Sequence, residues 1–220
     1  GTVVAWGQNL TGQAVPPANL SNVIAITTGN SNSFALRADG RVVAWGQDVA
    51  GETLIPPDLN HVVAIAAGAH HVVALQHDGT VRSWGNNVYN QTNVPSSATN
   101  VVRIAAGPYY NIALRADGTT VAWGGNTSSD PDSWPSLTNI VAISRSIALT
   151  ADGRVATFGT TNALLSLTNV AGLADSGGLR IFLANLPPVA IAKTVRLPAN
   201  FDSAITFSGT DTNTDLLTFK

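Results

Sequence analysis

A tryptophan-glycine pair returns at a fixed interval along much of this sequence. The pairs start at Trp6, Trp45, Trp84 and Trp123, each 39 residues after the one before. This period is close to the roughly 40 to 45 residues of a propeller blade, so it predicts one supersecondary unit copied around an axis. In such a ring, function is expected on the two faces and their loops.

Each unit is predicted to contain three strands. An apolar run comes first, then a Gly turn and a second strand, then an Asp-Gly pair and a third strand that ends in Trp-Gly. Asp-Gly is a strong hairpin signal, because a type I′ turn needs positive φ and glycine adopts it without strain. We assign a structural role to the glycines of these pairs, which are Gly40, Gly79, Gly118 and Gly153.

The tryptophans are predicted to be packing residues rather than ligand contacts. Each one ends a third strand, where the gap between neighbouring sheets widens and a large aromatic side chain can fill it. The fourth unit has Phe158 in place of tryptophan, 35 residues after Trp123. The predicted packing set is Trp6, Trp45, Trp84, Trp123 and Phe158.

A fifth unit, at 170–185, has two strand-like stretches but no Asp-Gly hairpin and no Trp-Gly strand. Its missing strand has a match at the other end of the chain, because residues 1–7 resemble residues 79–85. A propeller can complete its last blade in this way, since closure removes exposed sheet edges. One interpretation is four full blades and a fifth shared by both ends. The alternative is an open arc of a larger ring, whose free strand at 2–6 pairs with a neighbouring molecule.

The repeat stops at Leu186, which divides the chain into a propeller at 1–185 and a second region at 186–220. The second region reads as a Pro-Pro linker followed by short strands, the start of an incomplete β-sandwich-like domain. Asp211, Asn213 and Asp215 alternate as calcium ligands sometimes do, but a polar turn is the favoured interpretation.

Composition limits the classes of function. Charged residues make up 11% of the chain, against a typical share of about 25%, so the surface must be built from uncharged polar residues, as expected of an extracellular domain. A net charge of −2 gives no footprint for nucleic acid, and no apolar run approaches the roughly 18 residues of a membrane helix. Cysteine is absent, which excludes disulfides. Methionine is absent even at position 1, so a processed or excised piece is expected.

No catalytic constellation is predicted, and we expect neither enzyme activity, nor a cofactor, nor a metal. Without cysteine, a nucleophile would be Ser or Thr with a His base, yet all the histidines lie in one unit. Unrelated residues hold their positions in other units, so exposed loop residues are favoured over a metal site. These histidines are His61, His70, His71 and His77. Sequons at Asn9, Asn19, Asn90 and Asn126 mark surface loops, and none is expected to be modified.

The motifs of residues 62–85 resemble the regulator of chromosome condensation repeat family. The segment contains Ala-Ala-Gly, Ala-Leu, Asp-Gly and Trp-Gly-Asn, and its short units are most similar to those of β-lactamase inhibitory protein II. The resemblance covers residues 1–185 and implies a β-propeller of seven blades, whereas five units are visible here. The segments at 187–190 and 209–219 resemble bacterial immunoglobulin-like or cadherin-like surface repeats. Together the two resemblances imply a large exported bacterial surface protein.

We expect a non-enzymatic module for protein interaction or structural assembly, with a protein partner or a second copy bound at loops. Guanine-nucleotide exchange is disfavoured, because no unit carries a wedge insertion. The alternative is a secreted enzyme inhibitor like β-lactamase inhibitory protein II, although hot spots cluster Trp, Tyr and Arg and only the third turn is aromatic. The candidate partner-binding residues are His70, His71, Tyr109 and Tyr110 in the turns after the repeated Gly, and Tyr89 and Trp134 in the loops after Trp-Gly.

Overall fold

The computed structural model describes most of the predicted propeller. The described residues are 1–125, 137–145 and 147–157, with the strands at 164–165, 170–175, 179–183, 208–210 and 216–218. All regular structure in these residues is β-strand, and none of it is a helix that could cross a membrane. Phe158 and Trp134 lie outside the described residues.

The strands follow the predicted units. The first three units each form a three-stranded antiparallel sheet in chain order: β1 Val23–Thr28, β2 Asn32–Arg37 and β3 Val42–Gly46; β4 Val62–Ala67, β5 His71–Gln76 and β6 Val81–Gly85; β7 Val101–Ala106, β8 Tyr110–Arg115 and β9 Thr120–Gly124. The fourth sheet contains β10 Ile140–Ile143, β11 Ile147–Thr150, β12 Val155–Thr157 and β13 Leu164–Leu165. Two antiparallel pairs follow, β14 Val170–Asp175 with β15 Leu179–Leu183, and β16 Ser208–Thr210 with β17 Leu216–Thr218. The all-β class and the blade-like units are therefore confirmed.

The Asp-Gly pairs form the hairpins between second and third strands and also join consecutive blades. The φ angles of their glycines lie between 77° and 83°, the left-handed region that glycine tolerates best. The carbonyl of Gly40 accepts a hydrogen bond from Val62 N at 3.1 Å, the first residue of the next blade. A Cβ on Gly40 would lie 3.1 Å from the Cα of His61. Glycine is required here by both backbone angle and close packing.

The hydrophobic core lies between neighbouring blades rather than inside one sheet. Between the first two sheets, Phe34 and Leu36 of β2 pack with Val72 of β5 and with Trp84. Equivalent clusters lie between the second and third sheets and between the third and fourth. A fourth cluster includes Val170 of β14, so the fifth unit continues the stack. Burial of apolar surface thus holds each blade to the next.

The tryptophans of the first three complete blades are buried, in the positions that the repeat predicts. They are Trp45, Trp84 and Trp123. Trp84 and Trp123 pack against the preceding blade. All three indoles donate a hydrogen bond to a backbone carbonyl in the loop before their own blade. The sequence-based assignment of wedge residues therefore has a clear physical basis at these three positions.

Trp6 differs, and the prediction that it is a buried wedge is wrong. Its side chain is 85% exposed, and residues 1–6 form no strand. The carbonyl of Gly1 nevertheless accepts a hydrogen bond from Val23 N at 3.0 Å, the same blade-to-blade contact that Gly40 makes. Residues 1–7 therefore lie where the third strand of a preceding blade would lie. Because the repeated tryptophan packs against the blade before its own, Trp6 has no sheet to pack against within the described residues.

Candidate partner-binding surface

The turn after each first strand and the loop after each Trp-Gly pair meet on one face of the molecule. A second strand begins at this end of the blade and the third strand ends there, which brings the two segments together. Gln47 N donates to the carbonyl of Ser31 at 2.8 Å, and Asn86 N donates to the carbonyl of His70 at 2.8 Å. We call this surface the loop face; it contains the turns at 29–31, 68–70 and 107–109 and the loops at 8–14, 47–53 and 86–92.

Three exposed apolar side chains stand at equivalent positions of the three described loops. Leu10 is 83% exposed, Val49 57% and Val88 74%, and each lies four residues after the tryptophan of its unit. Single exposed apolar residues are ordinary on protein surfaces, but the same exposed position in three successive loops is a repeated feature of this face. Sequence reasoning missed these residues, although their 39-residue spacing was a usable signal.

Each of these loops is closed around the side chain of one residue, seven positions after the tryptophan. In the first loop Gln13 Oε1 accepts from Thr11 N at 2.9 Å. In the second, Glu52 Oε2 accepts from Val49 N and Ala50 N at 2.8 and 2.7 Å. In the third, Gln91 Oε1 accepts from Tyr89 N at 2.8 Å. The loop tips therefore have fixed backbones.

The same three residues connect the loops to the core. The backbone carbonyls of Gln13, Glu52 and Gln91 accept the indole N–H groups of the next tryptophans, at 2.9, 2.8 and 3.0 Å. Glu52 and Gln91 are fully buried, so desolvation makes these hydrogen bonds costly to lose. A partner that binds the loop tips contacts a surface that is already ordered, which lowers the entropy cost of binding.

The third loop carries an additional network of amide side chains. Asn86 Oδ1 accepts from Val88 N at 3.0 Å, and Asn87 Oδ1 accepts from Thr92 N at 2.9 Å. Asn87 Nδ2 donates to Asn93 Oδ1 at 3.0 Å. These amides hold the loop in one shape, with Val88 and Tyr89 at its tip.

Each turn of the loop face and the loop beside it form one sector, and the third sector consists of the turn at 107–109 and the loop at 86–92. Two tyrosines form an aromatic ridge on this third sector. The ring centroids of Tyr89 and Tyr109 lie 5.2 Å apart at an interplanar angle of 65°, the edge-to-face geometry that aromatic pairs favour. Tyr89 is 38% exposed and Tyr109 37%. Two residues that the sequence placed in separate segments are thus brought together in one surface feature.

His70 lies at the equivalent position in the second sector and is held by two neighbours. Its Nδ1 lies 3.1 Å from Glu52 Oε1, and its Nε2 lies 3.2 Å from Asn30 Nδ2. Because the Nδ2 group of Asn30 can only donate, this network assigns the acceptor role to His70 Nε2 and the proton to Nδ1. His70 remains partly exposed, so it is available at the surface but restrained in orientation.

His71 and Tyr110 are buried, and their assignment as partner-binding residues is wrong. Each is the third residue after a repeated glycine, and its ring lies over that glycine; a Cβ on Gly68 would overlap the His71 ring, and one on Gly107 would overlap Tyr110. Tyr110 Oη donates to the Arg145 carbonyl at 2.8 Å. Both side chains pack between blades beneath the loop face.

Burial also changes the protonation of His71. Its Nε2 lies 2.9 Å from Asn111 Oδ1, and Asn111 Nδ2 donates to the Gln91 carbonyl at 2.7 Å. Desolvation lowers the pKa of His71 to about 4, and the hydrogen bonds offset this only in part. At neutral pH the imidazole is an uncharged donor in a network that joins the second and third blades.

The opposite face carries the Asp-Gly hairpins. The carboxylates of Asp78 and Asp117 accept hydrogen bonds from the hydroxyl and the backbone N–H of Thr80 and Thr119, respectively, which lowers the pKa of both carboxyls. These contacts are turn chemistry. Within the described residues, no group of three His, Cys, Asp or Glu side chains is placed to hold a metal ion.

Comparisons with known proteins agree with the fold and the repeat. The fold and the blade-to-blade packing define a β-propeller. The model of the regulator of chromosome condensation (RCC1) repeat matches residues 23–52 and 62–91, and the second match includes the motifs at 62–85. No curated protein matches the sequence.

Solved structures with the same fold come from several organisms. The ectodomain of the receptor kinase CR4 from Physcomitrella patens is 19% identical with a TM-score of 0.64, over 76% of this chain and 50% of that one. Human WBSCR16 is 20% identical with a TM-score of 0.56, over 71% and 56%. Prp20p from Saccharomyces cerevisiae, described with its binding properties to Gsp1p and histones, is 21% identical with a TM-score of 0.54, over 66% and 47%. This chain spans about half the length of these structures.

Proposed function

We propose that this chain is a non-enzymatic protein-interaction module of an exported bacterial surface or extracellular protein, and that it binds its protein partner through the loop face. The observation that carries the proposal is the row of Leu10, Val49 and Val88, exposed at equivalent positions on loops with fixed backbones. Exposed apolar positions beside aromatic anchors are typical of interaction sites.

Three further observations support the proposal. Prp20p, which shares the fold, binds proteins. The surface of this chain is poor in charge, which favours neutral contacts over electrostatic ones. Export is supported by that composition and by the resemblance of residues 187–190 and 209–219 to bacterial surface repeats.

The experiment compares two valines that differ in location. The wild-type chain, Val88→Ser and Val102→Ser are immobilised and exposed to the surface and secreted proteins of the source bacterium, and each bound protein is then tested as a purified component. Val102 is also half-exposed but lies in strand β7. We expect a direct partner whose affinity falls at least tenfold with Val88→Ser and stays unchanged with Val102→Ser. Equal binding by all three would reject the loop face as the site.

Self-association is a second candidate, favoured by the exposed start of the chain. Val4 and Trp6 are largely exposed, and they line a groove of about 390 Å³ together with Ile26 and Trp45. A strand from another copy could pair with residues 2–6 there. Sedimentation over a range of concentrations tests this, because a strict monomer at high concentration would exclude it.

Enzyme inhibition is the third candidate, favoured by the ridge of Tyr89 and Tyr109. Aromatic side chains on fixed loops can supply hot spots against an enzyme surface. The test is turnover by a panel of β-lactamases at a stoichiometric dose of this protein. Full activity across the panel would exclude that target class.

A further inference from the structure

The aromatic ridge of the third sector has properties that the first and second sectors lack. Positions equivalent to Tyr109 are held by Ser31 and His70, and the position equivalent to Tyr89 is held by Ala50 in the second loop. Only in the third sector, among the described residues, do two aromatic rings contact each other on the loop face. A ligand whose binding depends on contact with both rings therefore binds at this sector.

The two segments that form the ridge carry no acidic or basic side chain. Residues 86–94 and 107–110 contain no Asp, Glu, Lys, Arg or His. Recognition of phosphate, of carboxylate or of a basic peptide depends on opposite charge, so such ligands are not favoured here. The complementary ligand is uncharged.

The polar groups of the third loop favour an apolar ligand over a sugar. The amides of Asn87 and Asn93 bond to each other at 3.0 Å, and Asn93 also bonds to Asn90. Since these amides are engaged in bracing the loop, fewer of their donors and acceptors remain for the hydroxyls of a sugar. The group at the tip beside Tyr89 is the exposed isopropyl of Val88, which favours an apolar ligand.

The ridge also presents hydrogen-bond donors at its edge. Within the described residues, neither Tyr89 Oη nor Tyr109 Oη has a hydrogen-bond partner. A polyproline II segment has no internal hydrogen bonds, so its carbonyls need outside donors. Its rise of about 3.1 Å per residue gives about 6 Å over two residues, comparable with the 5.2 Å between the ring centroids.

We propose that Tyr89, Tyr109 and Val88 form a docking site for an uncharged, proline-rich extended segment of a protein partner. The proline rings pack against the two aromatic faces and the valine, and the tyrosine hydroxyls donate to carbonyls of the segment. Both sides are ordered before they meet, which reduces the entropy cost. This inference rests on the proposed function of the loop face as a protein-binding surface.

The test uses a ten-residue polyproline peptide as the probe, with a Gly-Ser decapeptide and cellohexaose as comparisons. Titration of the ¹⁵N-labelled chain is followed by the amide signals of residues 86–94 and 107–110. We expect these signals to shift with polyproline alone. We expect the affinity to fall at least tenfold in Tyr89→Ala, several-fold in Tyr89→Phe, which keeps the ring, and not at all in Ser31→Ala, a change in the first unit at the position equivalent to Tyr109.

Three results would overturn the inference: no shift with polyproline at millimolar concentration, equal binding by Tyr89→Ala with an unchanged melting temperature, or binding of cellohexaose in place of polyproline. None of these results would contradict the proposed function itself. A partner whose binding still depends on Val88, tested as above, would leave the loop face intact and reject only the proline-rich ligand.

Discussion

The indole Nε1 of Trp84 donates a hydrogen bond to the backbone carbonyl of Glu52, 2.8 Å away. The same contact recurs from Trp45 and Trp123 to the equivalent loop residues. Trp84 and Trp123 thus have two roles, since each fills the gap between two blades and fixes the loop that forms the candidate binding face. Core packing and surface geometry are coupled through this one bond.

Replacement of Trp84 should therefore be costly, while replacement of Trp6 should not. Trp84→Ala removes a large buried aromatic, and we expect a loss of about 3 to 5 kcal/mol in unfolding free energy. Trp6 is exposed, so Trp6→Ala should change stability by less than about 0.5 kcal/mol. Urea unfolding followed by circular dichroism measures both. Similar losses for the two variants would mean that Trp6 is buried in solution.

The period of the sequence was sufficient to predict the architecture. Strand order, the Asp-Gly hairpins and the burial of Trp45, Trp84 and Trp123 all follow from a unit that must pack against copies of itself. The prediction that Trp6 is buried was wrong because this tryptophan, although in the same repeat position, has no preceding sheet to pack against among the described residues. Repetition predicts a position in the unit, but burial depends on the neighbouring unit.

The candidate site was only half predictable, for a physical reason. Tyr109 and Tyr110 are adjacent in sequence, yet one is on the surface and the other covers Gly107. A turn of this shape places its third residue over the repeated glycine, a contact that needs three-dimensional geometry to see. The pairing of Tyr89 with Tyr109 was equally hidden, because 20 positions separate the two residues.

A side chain at Gly68 should test the packing of the turn. Gly68→Ala places a Cβ against the His71 ring, and overpacking of this kind typically costs about 1 to 3 kcal/mol. In a His71→Ala background the ring is gone, so the added methyl should cost less, although its Cβ still lies 2.6 Å from the carbonyl oxygen of Gly107. The measurement is a double-mutant cycle in urea. Additive losses would show that the two residues are not in contact.

The contribution of the buried Glu52 carboxylate to the free energy of unfolding should depend on His70. The first and third loops have glutamine at this position, so Glu52→Gln keeps an acceptor for the loop amides but places an NH₂ group near the protonated Nδ1 of His70. We expect a loss of about 1 to 2 kcal/mol from the mismatched buried donors. Changing His70→Ser as well, which reproduces the Gln13 and Ser31 pair of the first unit, should recover part of it. A coupling energy near zero in thermal unfolding would contradict the contact.

His71 should make stability depend on pH. Its pKa is about 4 in the folded chain and about 6.5 when unfolded, so between these values the unfolded state binds more protons. The contribution of His71 to the free energy of unfolding is therefore complete above pH 6.5 and falls as the pH decreases towards 4. Below pH 4 this group causes no further loss. A shift of this size corresponds to about 3 kcal/mol.

The matched variant for this prediction is His71→Asn, because Asn32 occupies the same position in the first blade. Its unfolding free energy should lack the contribution of His71, so the difference between wild type and variant should change by up to about 3 kcal/mol between pH 7 and pH 4. Urea unfolding at half-unit pH steps measures this difference. A constant difference would mean that the folded chain accommodates a charged imidazole between its second and third blades, which would contradict the desolvation that sets the pKa of His71.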